Sequence, residues 1–391
     1  MTNKPVFDYP LFAMGFRTFF ALAGLSALAF IALWNVIASG NPHFNNYFPA
    51  PIWHAHEMLL GYASAIIAGF LLTDVKNRTG MPAVSPDQLA ALGLLWLYGR
   101  IAPFYSKLLP DILIAGLDFV FLPALAYVIS KSILKSGELK NLGFVLLLLL
   151  MTAANGLIHA QVLGFAGGGA SLGINLLVMV MVTTIVFLAG RLIPSFTERG
   201  LSGVLCIRNP LFDWAAIIAS LFTFGLVLAD VTGALLAIAA AIAFISNALR
   251  FAGWYDRRIW YVPLLWVLYV GYGWIIIGFG FLFLSAYAWV LPVLALHAFT
   301  LGGIGVLTLG MMARVALIHT GRALKVSNIM AIVFLLINLS ALSRILFPAF
   351  IPAWYSGLTL VSSYSWLAAF SLFIFYFTPI LTSPRTDGQT G

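Results

Sequence analysis

Charge is what this chain has least of: 8% of its 391 residues are Asp, Glu, Lys or Arg, against roughly 25% in ordinary soluble domains. That scarcity excludes a water-soluble globule. With 62% hydrophobic residues it also excludes disorder, because disordered chains are poor in apolar residues and rich in charge. Cysteine is almost absent. The single Cys206 excludes an internal disulfide framework and any multi-cysteine zinc or iron-sulfur site, so metal chemistry falls to the six histidines. Long polar segments are missing too: the longest connections, about 74–87 and 191–210, cannot hold a soluble domain. No internal repeat and no low-complexity segment is evident.

What is present is apolar runs long enough to cross a bilayer, which takes about 20 residues because unpaired backbone groups cannot be left in hydrocarbon. Twelve are read, at about 14–37, 54–73, 88–105, 109–130, 142–163, 171–190, 211–229, 231–249, 259–283, 289–313, 327–346 and 354–380. The expected architecture is therefore all-α: a polytopic integral membrane protein of about twelve transmembrane helices, forming one domain over 1–391. Lys4 and Asp8 ahead of the first span, with no small-residue cleavage site behind it, are unlike a removable signal peptide.

The net charge of +8 tests this threading. With both termini cytoplasmic, all Lys and Arg residues except Arg100, Lys107 and Arg344 fall on the cytoplasmic side, as the positive-inside rule requires. The basic excess is then a record of orientation, and a nucleic-acid partner loses its support. Each exception lies near an outer helix end, where it either snorkels to the interface or serves an anionic group.

Intramembrane ionisable groups are costly and mark functional sites. On this topology His54 and His56 open the second span from outside, His159 lies near the outer end of the fifth and His297 in the outer third of the tenth. Four histidines therefore share one depth, with His43 in the loop before the second span and only His319 cytoplasmic. Imidazole suits iron, copper and zinc, and with few carboxylates nearby haem iron or copper is the expected metal. Arg100 and Arg344 are candidates to meet haem propionates. On a regular helix His54 and His56 point about 200° apart, so either two metals are held or a frayed helix start bends both to one. Glu57, about 60° from the face of His54, suits a carboxylate orienting the imidazole or a proton donor. Asp118, near the middle of the fourth span, either relays protons or pairs with a neighbour such as Asn155. Each of these residues also has a plainer use: a helix cap for His54 and Glu57, one helix–helix hydrogen bond for His159 or His297. Gly302, Gly303, Gly305 and Gly310 permit close helix packing or a flat cofactor. His319, 22 residues beyond His297 and so about 33 Å along a straight helix, lies outside the cluster and either anchors a cytoplasmic loop or marks a second site.

Several stretches together resemble the NnrS family of bacterial membrane proteins: His54-Ala55-His56-Glu57-Met58-Leu59 with Gly61-Tyr62-Ala63 and Gly69-Phe70-Leu71-Leu72-Thr73; Gly99-Arg100; Ala189-Gly190-Arg191 with Ile193-Pro194-Ser195-Phe196-Thr197; and His297-Ala298 through Gly302-Gly303-Ile304-Gly305 to Arg314 and His319-Thr320-Gly321-Arg322. The segment from Asp74 to Gly80 departs from the family's pattern, where an apolar residue is expected at 74 and an aromatic at 78. The resemblance implies a multi-pass protein of the bacterial inner membrane that contains b-type haem and copper. It also implies a role in the response to nitric oxide and nitrosative stress, often beside denitrification. Nitric oxide or a related small molecule, membrane lipid and a membrane or periplasmic electron donor are the expected partners. If nitric oxide is reduced, as a nitric-oxide-reducing oxidoreductase would do, Glu57 and Asp118 are the candidate proton carriers. The rival reading is a transporter of protons, metal ions or a small solute using the same histidines. A transport site is expected nearer the bilayer midplane, and this cluster is read at the outer third.

Overall fold

A computed structural model describes residues 9–40, 45–79 and 83–389, so His43, Lys4 and Asp8 lie outside the described residues. Among these residues there is no strand, and eleven helices are long and apolar enough to cross a membrane. In chain order the helices are α1 (Gly15–Ala38); α2, which runs as Ala50–His56, a π-helical segment Glu57–Ala63 and Ser64–Thr79; α3 (Pro86–Ile101); α4 (Asp111–Ser136); α5 (Leu142–Val162); α6 (Gly169–Gly200); α7 (Pro210–Leu228); α8 (Ala234–Trp254); α9 (Pro263–Ser285); α10 (Pro292–His319), π-helical over Ala298–Gly305; α11 (Asn328–Phe350), π-helical over Leu342–Leu346; and α12 (Pro352–Thr382). The twelfth expected span is α3. Its α-helix is 16 residues long, tightens into a 3₁₀ turn at Ala102–Tyr105 where Pro103 removes a backbone donor, and is the one helix of the twelve that falls short of spanning length. It opens on a reciprocal cap between Ser85 and Gln88.

The chain divides into two compact units, residues 1–177 with 314–324 and 370–391, and residues 178–313 with 325–369. In the first unit Arg17, wholly buried, donates to the carbonyls of Leu381 and Ser383 at 2.9 and 2.7 Å. It thus caps the end of α12, where carbonyls have no helical partner and a cation is favoured.

The π-helical segments expose an internal repeat that composition alone hides. In α2 and α10 a short helix opens on proline, ends on histidine and passes into a π segment. Seven residues then match at one constant separation of 241, that between Pro51 and Pro292: His56 with His297, Leu60 with Leu301, Gly61 with Gly302, Gly69 with Gly310, Thr79 with Thr320 and Gly80 with Gly321. The contacts repeat as well. A Cβ on Gly61 would lie 2.6 Å from the Phe30 ring of α1, and one on Gly302 would lie 2.6 Å from Trp274 of α9. Gly69 meets Phe20 of α1 and Gly310 meets Val267 of α9 in the same way. In each copy the preceding helix seats large side chains on the glycine face of the π-interrupted helix. Arg100 and Arg344, each followed by isoleucine and soon by proline, then occupy corresponding places in α3 and α11. The chain therefore repeats one helix pair, α1–α2 in α9–α10, in the same chain direction, with an arginine in the helix that follows each pair.

Candidate functional site

The site lies in the first unit, where α2, α3, α4 and α5 converge. Each helix contributes at or near the same end: His56 and Glu57 from the first turns of α2, Arg100 from the last turn of α3, Asp118 from the early part of α4, and Asn155 and His159 from the late part of α5. All six are buried, none more than 7% exposed.

Asp118 is the hub. Its Oδ2 lies 2.9 Å from His159 Nε2 and 3.1 Å from His56 Nε2, and it accepts from Asn155 Nδ2 at 2.8 Å. Its other oxygen pairs closely with Arg100. Arg100 also donates to both oxygens of Glu57, each at 3.2 Å. Gly99 makes this approach possible, since a Cβ there would stand 2.8 Å from Asp118 Oδ1 and 3.1 Å from its Cα.

The imidazoles are held from behind. His56 Nδ1 lies 3.1 Å from Glu57 Oε1, and His159 Nδ1 lies 3.2 Å from the Tyr47 hydroxyl. With each outer nitrogen occupied, both Nε2 atoms are aimed at one point, the arrangement by which metal-binding histidines have tautomer and ring orientation fixed. Phe48 covers both rings, its centroid 4.3 Å from His56 and 5.5 Å from His159.

The electrostatics are unbalanced. Glu57 and Asp118 bring two negative charges and Arg100 brings one positive, so with neutral histidines the buried cluster carries one excess negative charge. Charge buried in a low-dielectric interior has to be compensated. A metal cation or a proton supplies the compensation, and the donor set is suited to the first: one ligand atom from each of His56, Asp118 and His159 falls within 4.8 Å of the others. Two imidazoles and a carboxylate suit iron, copper or zinc. Asp118 Oδ2 stands between the two Nε2 atoms, where a haem iron held by both imidazoles would have to sit, so the cluster as built does not suit a bis-histidine haem.

The predicted residues thus separate. His56, His159, Asp118, Glu57 and Arg100 come together, and the Asp118–Asn155 pair forms. Glu57 orients His56 rather than His54. His54 stacks instead on Trp34 of α1, with ring centroids 4.3 Å apart and planes within 17°, which follows from the opposed directions of residues two apart on a helix. Arg100 is committed to two carboxylates and does not present its charge to a propionate. His297 and Arg344 belong to the second unit. His297 Nδ1 lies 2.8 Å from the Val293 carbonyl oxygen, which places the proton on Nδ1. His319 is far from the cluster: its ring lies 5.7 Å from that of Phe16, and its carbonyl accepts from Arg385 at 3.2 Å. Tyr47 and Phe48 were not anticipated; their place is a connecting loop tied by the Tyr47 amide to the Pro103 carbonyl, a contact without periodic signal.

A polytopic helical membrane protein with a buried His-Asp-His group capable of holding a metal ion is the class these features define. The family model described as NnrS protein matches residues 10–385. The chain belongs to the NnrS family. No curated protein and no solved structure matches it.

Proposed function

We propose that this chain is a metal-dependent protein of the nitric oxide response in the bacterial inner membrane, holding one copper ion between His56 Nε2, His159 Nε2 and an Asp118 oxygen. The observation that carries the reading is the pair of imidazoles aimed at a single buried carboxylate oxygen, each fixed from its far side by Glu57 or Tyr47. The excess negative charge of the cluster favours a cation at that point. Family membership supports the link to nitric oxide, and the family resemblance selects copper among the metals that suit the donors. A redox-active ion held by His56, His159 and Asp118 would supply a centre able to bind nitric oxide and exchange electrons with it. The chain's own residues set the conditions: Arg100 fixes both carboxylates, Glu57 orients His56, and Phe48 lies against both imidazole rings. No haem step is assigned to this cluster.

Metal analysis of purified protein, loaded with copper and separately with iron and zinc, tests the proposal. About one ion per chain is expected, lost in His56→Ala, His159→Ala and Asp118→Asn and retained in His54→Ala. A full complement of metal in the Asp118→Asn protein would refute the site. The second reading, a proton-coupled transporter, rests on the same hydrogen-bonded run from His56 through Asp118 to His159; folded protein that binds none of the three metals would favour it.

A further inference from the structure

The repeat relates the site in the first unit to a place in the second that differs from it by charge. In α10 and α12 the two carboxylates have no counterpart: Ala298 stands where Glu57 does, and Ser362 stands as far beyond Arg344 as Asp118 stands beyond Arg100. The histidine and the arginine remain. Arg344 donates from Nη1 to the Tyr355 hydroxyl and to Thr359 Oγ1, both at 2.9 Å, and its guanidinium lies 5.2 Å from the Tyr355 ring. All of these partners are neutral. Among the described residues no carboxylate lies within ion-pair distance of Arg344, which is half-buried in a helix of membrane-spanning length.

A guanidinium in that setting calls for a counter-charge. Its partners are arranged to share one. Thr359 spends its proton on the Tyr355 carbonyl at 2.8 Å, whereas the Tyr355 hydroxyl accepts from Arg344 and keeps its own proton to donate. Arginine is the side chain best matched to carboxylate and phosphate oxygens, through its fixed fork of donors.

We infer that the second unit contains an anion site at Arg344 and Tyr355, the charge-reversed counterpart of the cation site in the first, and that it takes an oxyanion. The group comes either from a soluble ion or from the phosphate of a lipid headgroup. The inference is independent of which metal the first unit holds.

Thermal unfolding of the full chain in nanodiscs of zwitterionic phosphatidylcholine separates the sources. One arm adds inorganic phosphate at ionic strength matched with chloride; the other replaces part of the lipid by phosphatidylglycerol. A saturable rise in melting temperature in one arm, absent in Arg344→Gln and reduced in Tyr355→Phe, is the expected result, and the responding arm identifies the source. Thr359→Asp places a carboxylate at an existing contact of Arg344 and is expected to abolish the response while the protein stays folded. No response of the wild-type protein in either arm, or an undiminished response in Arg344→Gln, would overturn the inference and leave Arg344 a side chain solvated at the membrane surface.

Discussion

Replacing Arg100 by Gln should be far more damaging than replacing its partner Asp118 by Asn, although the two residues form one ion pair. Arg100 faces two carboxylates. At 3.2 Å, with an effective dielectric constant of about 20, its attraction to Glu57 alone is roughly 5 kcal/mol before desolvation is subtracted. Asp118 lies at least as close. Arg100→Gln leaves both carboxylates buried and raises the excess from one negative charge to two, so the cost should reach the range of about 3–5 kcal/mol found for broken buried pairs. Asp118→Asn removes the excess altogether, and Glu57 and Arg100 then neutralise each other. What is lost is the charge-assisted part of its hydrogen bonds, about 1–2 kcal/mol. In the double variant Asp118→Asn relieves one of the stranded charges, so the two costs should fail to add by at least about 1 kcal/mol. Unfolding in detergent, followed by tryptophan fluorescence on metal-free protein, measures all three variants. Equal costs for the single variants, or additive costs in the double variant, would refute the charge accounting on which the cation site rests.

Two further predictions concern packing and the C-terminal segment. Gly61→Ala and Gly302→Ala should each destabilise by about 1–3 kcal/mol through overpacking against Phe30 and Trp274, while Gly143→Ala, which meets nothing within 4 Å, should be neutral or slightly stabilising in the same unfolding assay. Near the C-terminus the Thr386 amide donates to the Thr320 carbonyl at 3.0 Å, and Asp387 lies against Gly321, where φ is +72° and a Cβ would meet the carboxyl carbon at 2.7 Å. The hydrogen bonds from Arg385 hold the Asp387 carboxyl down to about 2, below its ordinary 3.8. A lowered carboxyl pKa contributes docking strength that is complete above about pH 4 and disappears as pH falls toward 2. The protection factors of the residue 385–387 amides, with the intrinsic pH dependence of exchange divided out, should therefore be constant from pH 7 to 5 and fall below 4. In Asp387→Asn protection should already be lost at neutral pH; unchanged protection in that variant would sink the assignment.

Much of the helical layout was legible because apolar runs of spanning length have few alternatives to helices, and the departure at α3 traces to one residue, Pro103, ending a run that composition carries further. The meeting of His56, His159 and Asp118 was half legible. Depth placed the two histidines together, and scarcity of charge singled out Asp118, but nothing in the spacing of His54 and His56 told which of them faces inward. That choice depends on where α1 puts Trp34 and where the loop puts Phe48. Arg100 was seen as an outer basic residue awaiting an anion from a cofactor, and the anions proved to be side chains 43 and 18 residues away along the chain. The repeat is faint in the sequence because it rests on seven scattered matches between residues 51–80 and 292–321; the common feature is a contact between a glycine and a large side chain on the preceding helix, a tertiary relation that spacing does not reveal.

The π-helical segment after His56 has a consequence for how this chain can vary in length. A π turn holds one residue more than an α turn and closes about the same rotation, so deleting a single residue between Glu57 and Ala63 would leave an α-helix with everything from Ser64 onward facing nearly as before relative to His56. Gly69 would keep its Phe20 contact, and the change would be confined to the few side chains of the wide turn, Gly61 among them. A deletion elsewhere in α2 would instead turn the rest of the helix by about 100° and uncouple the site from the packing that supports it. The same holds after His297. Of all positions in α2 and α10, these short stretches are the ones where one residue can be lost without turning the remainder of the helix.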